Sequence, residues 1–253
     1  MSEVHLRRID ITPSYRRVAE AIEQEIIEGR LMVGDLLPTE ASLATQLGVN
    51  RSTVREGIRA LENAGLLRRA GAKRLMIAVP DDNDLTRVFS RALSLGGVTF
   101  LELWDFMMDI EPFAAQLAAG RCKPDSLAAI EKNLERTAAN LADDPMLIWL
   151  DVEFHRLVAE ATENRPLILA CQPARLVLLP ATRELYKRVP QARTRLLDAH
   201  RQIFEALKAA DDVKARQWML KHIRDFRRDY ELAGFSLTGA VMGSSAMPHP
   251  PLR

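Results

Sequence analysis

The sequence is short of everything that would tie it to an oxidising or membrane setting. Its two cysteines, Cys122 and Cys171, are too few for a disulfide framework, and their spacing gives no zinc motif. No apolar run approaches the roughly 20 residues of a membrane span, and the opening MSEVHLRRID lacks the apolar core of a signal peptide. The expectation is a cytoplasmic protein with no membrane partner. Net charge is only +1, too little to hold nucleic acid by bulk electrostatics. The catalytic patterns H-E-x-x-H and G-x-S-x-G and the Gly-rich phosphate loop are missing as well. Beyond Asp84 there is no strand periodicity, only helical spacing.

What is present starts with length: 253 residues with 47% hydrophobic content allow two domains with cores of their own. The chain is organised around 39–71, where two short amphipathic helices meet at a glycine. Thr39 caps the first, with Leu43, Ala44 and Leu47 at helical spacing, and Gly48 supplies a positive φ for the turn. Asn50 caps the second, whose Val54, Ile58 and Leu61 turn inward. This is the helix-turn-helix arrangement. Arg51, Ser52, Thr53, Arg55 and Arg59 crowd the outward side of the second helix, where a recognition helix reaches base edges. Arginine can grip guanine as a fork, and hydroxyls suit phosphates. Strands at 66–69 and 74–79, joined by Ala70-Gly71-Ala72-Lys73, form a basic wing carrying Arg68, Arg69, Lys73 and Arg74. From Arg51 to Arg74 there are seven Lys or Arg against Glu56 and Glu62, giving +5 and leaving −4 elsewhere. That focused field is the footprint expected on DNA phosphates.

Residues 13–79 resemble the winged-helix domain of the GntR family of bacterial transcriptional regulators. The likeness rests on Leu37-Pro38-Thr39-Glu40, on Gly48-Val49-Asn50-Arg51-Ser52-Thr53-Val54-Arg55-Glu56 and on Leu61-Glu62-Asn63-Ala64-Gly65-Leu66. It implies operator contacts at Arg51, Ser52, Thr53, Arg55 and the wing-tip Gly71. Ala41 departs from the family, which often carries Arg or another polar residue there, so operator preference does not transfer.

A first helix is predicted over 13–29, with Val18, Ile22 and Ile26 buried. Pro80 to Asp84 reads as a linker. Helices follow at 84–95, 99–120 (bent at Pro112), 125–142, 145–162, 166–187, 191–209 and 212–232, and the chain from Ser236 lacks periodicity. The expected architecture is mainly α. It comprises a winged helix-turn-helix at 1–79, the linker at 80–84, an all-α antiparallel helical bundle at 85–232 and a disordered tail at 233–253.

Of five histidines, His155, His200 and His222 fall in the second domain, with His5 and His249 in the end segments. Asp151 and His155 are four apart on one helix face. His200 and His222 lie eleven residues before and eleven after Asp211, the centre of the turn between consecutive helices. If those helices pack antiparallel, both rings stand at one level. Asp151, His155, His200 and His222 then form a set suited to Zn, Mn or Ni with positions left open. Satisfied core histidines are the competing explanation. Asp151-Val152-Glu153-Phe154-His155 is similar to the D-x-x-F-H signature of the FCD domain, the ligand-sensing half of FadR-subfamily GntR regulators. Asn164, DAHRQIFEAL around His200 and MLKH ending at His222 match that pattern too. The resemblance implies a metal at the four residues and a small carboxylate effector held beside it. A second departure is Met107, where the family commonly places an Arg for the effector carboxylate; a thioether cannot bind one. The expected effector pocket comprises Trp104, Met107, Met108, Glu111 and Asn164, more apolar than usual and favouring aromatic or longer acids.

The function expected is a homodimeric transcriptional regulator on a palindromic operator, a repressor as most relatives are, with no enzyme activity. The alternatives are a metal-dependent hydrolase or lyase with a DNA-binding appendage, and an architectural DNA-binding protein without ligand.

Overall fold

The computed structural model describes residues 13–71 and 74–241, and the chain divides into two compact units after Asp84. Lys73 and the two end histidines lie outside the described residues.

In the first unit, α1 (Ser14–Ile27) buries Val18 and Ile22. α2 (Glu40–Leu47) begins where Thr39 Oγ1 accepts the Ser42 backbone N–H at 3.2 Å and ends at Gly48, φ +65°. α3 (Arg51–Asn63) begins where Asn50 Oδ1 accepts the Thr53 backbone N–H at 2.8 Å. Caps of this kind contribute about 0.5–2 kcal/mol each. Val54, Ile58 and Leu61 meet Val18, Ile22 and Leu43 in one core. The stripe expected on α2 is narrower than its spacing implied: Leu43 is buried, Ala44 half-buried and Leu47 exposed, because so short a helix turns little more than one residue inward. Gly57 sets the α1–α3 contact. A Cβ there would stand 2.8 Å from Val18 Cγ1 and 2.9 Å from the Tyr15 carbonyl oxygen, so only glycine permits this approach. β1 (Leu67–Arg69) and β2 (Leu75–Ile77) pair antiparallel with Arg68 opposite Met76, and Leu36 bridges to Met76 beside them.

α4 (Asp82–Leu95) begins just before the division, and the second unit continues with α5 (Phe100–Ala119), α6 (Pro124–Ala139), α7 (Asp144–Glu160), α8 (Arg165–Arg188), α9 (Ala192–Lys208) and α10 (Asp212–Leu232). Side-chain caps at Thr99, Asp143, Asn164 and Asp211 start α5, α7, α8 and α10. α5 runs through Pro112 as a single helix. Its core gathers Phe100, Leu103, Met107, Ile130, Phe154, Leu178, Ile203 and Met219.

Two expectations need correction. Residues 82–84, read as linker, are the first turn of α4, where Asp82 and Asp84 sit favourably at the positive end of the helix dipole. The chain from Ser236 to Val241, read as structureless, is ordered against the second unit. Leu101 N–H donates to Leu237 O at 3.0 Å, Val241 N–H donates to Val98 O at 2.9 Å, and Val241 is buried. Backbone pairing, which leaves no periodic trace in so short a stretch, holds it there.

Candidate functional site

On α3, Arg51, Ser52, Arg55 and Arg59 are exposed and Thr53 is half-buried. Asn50 organises the start of this face, since the hydroxyls of Ser52 and Thr53 both donate to its Oδ1 at 2.7 Å. Arg55 is not a free cation. Its Nη2 donates to Glu40 Oε2 at 2.8 Å and its Nε to Oε1 at 3.2 Å. The fork that could grip guanine is thus partly engaged by the first residue of α2. Arg51 and Arg59 make no ion pair within 4.0 Å among the described residues, though both charges join the Arg55 hydrogen bond in holding Glu40 down. Gly71 stands at the hairpin tip with φ +101° and open space around it, a place where backbone can approach a groove closely.

In the second unit the structure brings Asp151, His155, His200 and His222 together, all buried, with one ligand atom from each lying within 4.8 Å of the others. Asp151 and His155 are successive turns of α7; Asp211, capping α10, folds α9 and α10 back so that the His200 and His222 rings lie 4.8 Å apart. His155 Nε2 is 3.5 Å from Asp151 Oδ1 and 3.2 Å from His222 Nε2, and His200 Nε2 is 3.4 Å from the same Asp151 oxygen. Ligand bonds of about 2.0–2.2 Å to one ion put neighbouring donors roughly 3–3.5 Å apart, which matches these separations. Asp151 Oδ1 and His200 Nε2 are buried without a hydrogen-bond partner among the described residues. Orphaned acceptors in an interior are costly, and a divalent ion would satisfy them together. His200 Nδ1 is also unpartnered, its ring lying flat on Phe154 at 3.7 Å.

Electrostatics favour ligand-ready forms at His200, His222 and Asp151. Burial pushes His200 down to about 4, and burial with the neighbouring imidazoles pushes His222 well down, so both rings are neutral. Burial alone would raise Asp151 and Glu111, but the Arg175 guanidinium and the histidines hold Asp151 well below its usual range and Glu111 down to about 2. His155 is raised: Glu111 and Asp151 on its two nitrogens outweigh burial and Arg175.

Of the expected effector residues, Trp104, Met107, Met108 and Glu111 lie on α5, and Asn164 starts α8. Trp104 donates Nε1–H to Ile223 O at 3.3 Å under the guanidinium of Arg227. Met107 is 1% exposed and belongs to the core, with half-buried Met108 packed against that core. Asn164 accepts the Leu167 backbone N–H at the start of α8. Only Glu111 reaches the cluster, its Oε2 lying 3.0 Å from His155 Nδ1. Nor is the centre simply apolar. Arg175 of α8, which the sequence reading passed over, lies buried there, donating Nε and Nη2 to the two oxygens of Glu111 at 2.9 and 2.5 Å. A lone arginine on the face of α8 that buries Cys171, Ala174 and Leu178 was the available signal.

Comparisons with known proteins agree with this division. Residues 14–77 match the gntR family of bacterial regulatory proteins, and 102–225 match the FCD domain. The chain is 30% identical over 242 residues to the Glc operon transcriptional activator of Escherichia coli (strain K12), spanning 87% of this chain and 91% of that protein. It is 27% identical over 230 residues to the HTH-type transcriptional repressor NanR of Salmonella newport (strain SL254), spanning 86% and 85%. Among solved structures it is similar to Streptococcus agalactiae GntR, with TM-score 0.57 and 27% identity over 85% of this chain and 99% of that one. With a wing, a recognition helix and an all-α second unit in place, the chain belongs to the GntR family of bacterial regulatory proteins and carries an FCD domain behind its DNA-binding domain.

Proposed function

We propose that this regulator, of the FadR subfamily, binds a palindromic operator as a homodimer in the cytoplasm. A divalent metal held by Asp151, His155, His200 and His222 would give a small carboxylate effector its anchoring point. The observation that carries the metal reading is the pair of orphaned, buried acceptors, Asp151 Oδ1 and His200 Nε2, facing two more imidazoles. Zn, Mn and Ni all suit this donor set, and as a Lewis acid with open positions any of them would bind a carboxylate oxygen. Met107 in place of a cationic residue still favours aromatic or longer acids, and the ligand screen tests that preference. Arg51, Ser52, Thr53, Arg55, Arg59, Gly71 and Lys73 form the proposed DNA face. One recognition helix reads too few base pairs for genomic discrimination, and two-fold symmetry supplies the second half-site. The names of relatives include both an activator and a repressor; repression is the sign carried forward.

Elemental analysis of protein purified without chelator should find about one divalent ion per chain, lost in the double variant His155→Ala, His200→Ala. That variant should still shift DNA in a gel while its shift no longer responds to a panel of carboxylic acids. Metal-free wild-type protein that takes up no Zn²⁺, Mn²⁺ or Ni²⁺ by calorimetry would reduce the four residues to structural polar groups.

A further inference from the structure

Resting on that metal reading, we infer that Glu111 and Arg175 are positioning residues for the metal ligands, an outer pair that fixes how Asp151 and His155 present themselves, and not an anchor for the effector. Three observations support this. Glu111 Oε2 lies 3.0 Å from His155 Nδ1, on the side of the ring away from the cluster, while Nε2 faces Asp151 and His222. Arg175 Nη2 lies 3.2 Å from the same Nδ1; in the tautomer that donates Nδ1–H to Glu111, the imidazole keeps its Nε2 lone pair for a metal, with the ring angle set by the outer bond. Second, Arg175 grips Glu111 with Nε and Nη2 and places Nη1 3.6 Å from Asp151 Oδ2. Its cation therefore occupies the distal oxygen of Asp151 and leaves Oδ1, the orphaned atom, turned toward the histidines. Third, Glu111 and Arg175 are both buried, so this geometry is enforced by packing from α5 and α8 around α7.

The arrangement also decides what Arg175 does not do. With Nε and Nη2 spent on Glu111, Nη2 also 3.2 Å from His155 Nδ1, and Nη1 beside Asp151, it has no free pair of donors to clasp an incoming carboxylate. The guanidinium shape matters here, because one planar fork must reach two carboxylates at once; a lysine ammonium is a point charge and cannot span them.

The test measures Zn²⁺ affinity of the full-length protein by competition with a chromophoric chelator, and the visible absorption of the Co²⁺-loaded form. Loss of an outer partner of a metal-bound histidine typically costs about 10–100-fold in metal affinity. Glu111→Ala should fall in that range with an altered Co²⁺ spectrum. Glu111→Gln, which keeps an acceptor for His155, should lose less, and Arg175→Lys should weaken Zn²⁺ despite keeping its charge. Wild-type Zn²⁺ affinity in folded Glu111→Ala would overturn the inference. If that variant does not fold by circular dichroism, Glu111→Gln decides: weakened Zn²⁺ binding with a shifted Co²⁺ spectrum supports the inference, and wild-type values for both overturn it. Wild-type protein that binds neither ion would instead sink the metal reading itself.

Discussion

On α3, Arg51, Arg55 and Arg59 stand in solvent, where a charge is cheap and its partners are loosely held; among α5, α7 and α8, Glu111, Asp151 and Arg175 are buried and each depends on the others. In the first region the charges proposed to meet DNA lie apart from the core, so the two can be altered separately. The second has no such separation. Removing one member of a buried set leaves the others ionised without compensation, whereas removing an exposed one returns a neighbour to water.

The largest effect should therefore come from Arg175→Ala. Breaking a buried pair by deleting one partner costs about 3–5 kcal/mol, read as a lower urea midpoint for metal-free protein. Acid would sharpen the same point. Glu111, held down to about 2 against an ordinary 4.5, contributes stability that is complete above the ordinary value and is lost as pH falls through about 2. In Arg175→Ala that loss should begin at higher pH, because a buried carboxyl without its cation takes up its proton sooner. A variant with the wild-type midpoint and acid profile would break the contrast between the two regions.

Next in size is Arg51→Ala. A base-directed arginine is worth about 1–3 kcal/mol per half-site, so fluorescence anisotropy on a selected operator at fixed salt should show clear weakening. The urea midpoint should not move. A shifted midpoint with unchanged DNA affinity would make Arg51 a structural residue.

The smallest effect is expected of Glu40→Ala. The exposed pair with Arg55 adds little to stability, since solvent screens it, but losing it frees one cation at the proposed DNA face. The slope of log affinity against log salt should steepen by about one ion. An unchanged slope would mean that Arg55 stays clear of the phosphates.

Legibility in the sequence followed the range of the interactions. Thr39, Gly48 and Asn50 act within three or four residues, so the turn and caps of the helix-turn-helix could be read directly, and they stand as read. Asp151 and His155 are one helical turn apart, and His200 and His222 are equidistant from a turn; spacing read each pair, the likeness to the FCD signature joined the pairs, and the structure brings all four together. What was not legible depends on contact between distant elements. Arg175 meets Glu111 across 64 positions, the close approach that demands Gly57 involves α1, and Glu40 reaches Arg55 from another helix. Spacing within one helix carries no record of which side chain a separate helix will bring.

The strand-like pairing of residues 237–241 with the chain around Val98–Leu101 joins the last described stretch of the second unit to one near its beginning. It encloses nearly all of that unit's chain in a single loop. Closing so long a loop costs entropy that short-range contacts never pay, so this clasp is expected to form late in folding and to open early. In native-state hydrogen exchange the amide of Val241 should therefore exchange well before those of α7 and α10, even though its side chain is buried. A C-terminal truncation that spares Val241 keeps the clasp, and one ending at Ser236 leaves Val98 O without its donor.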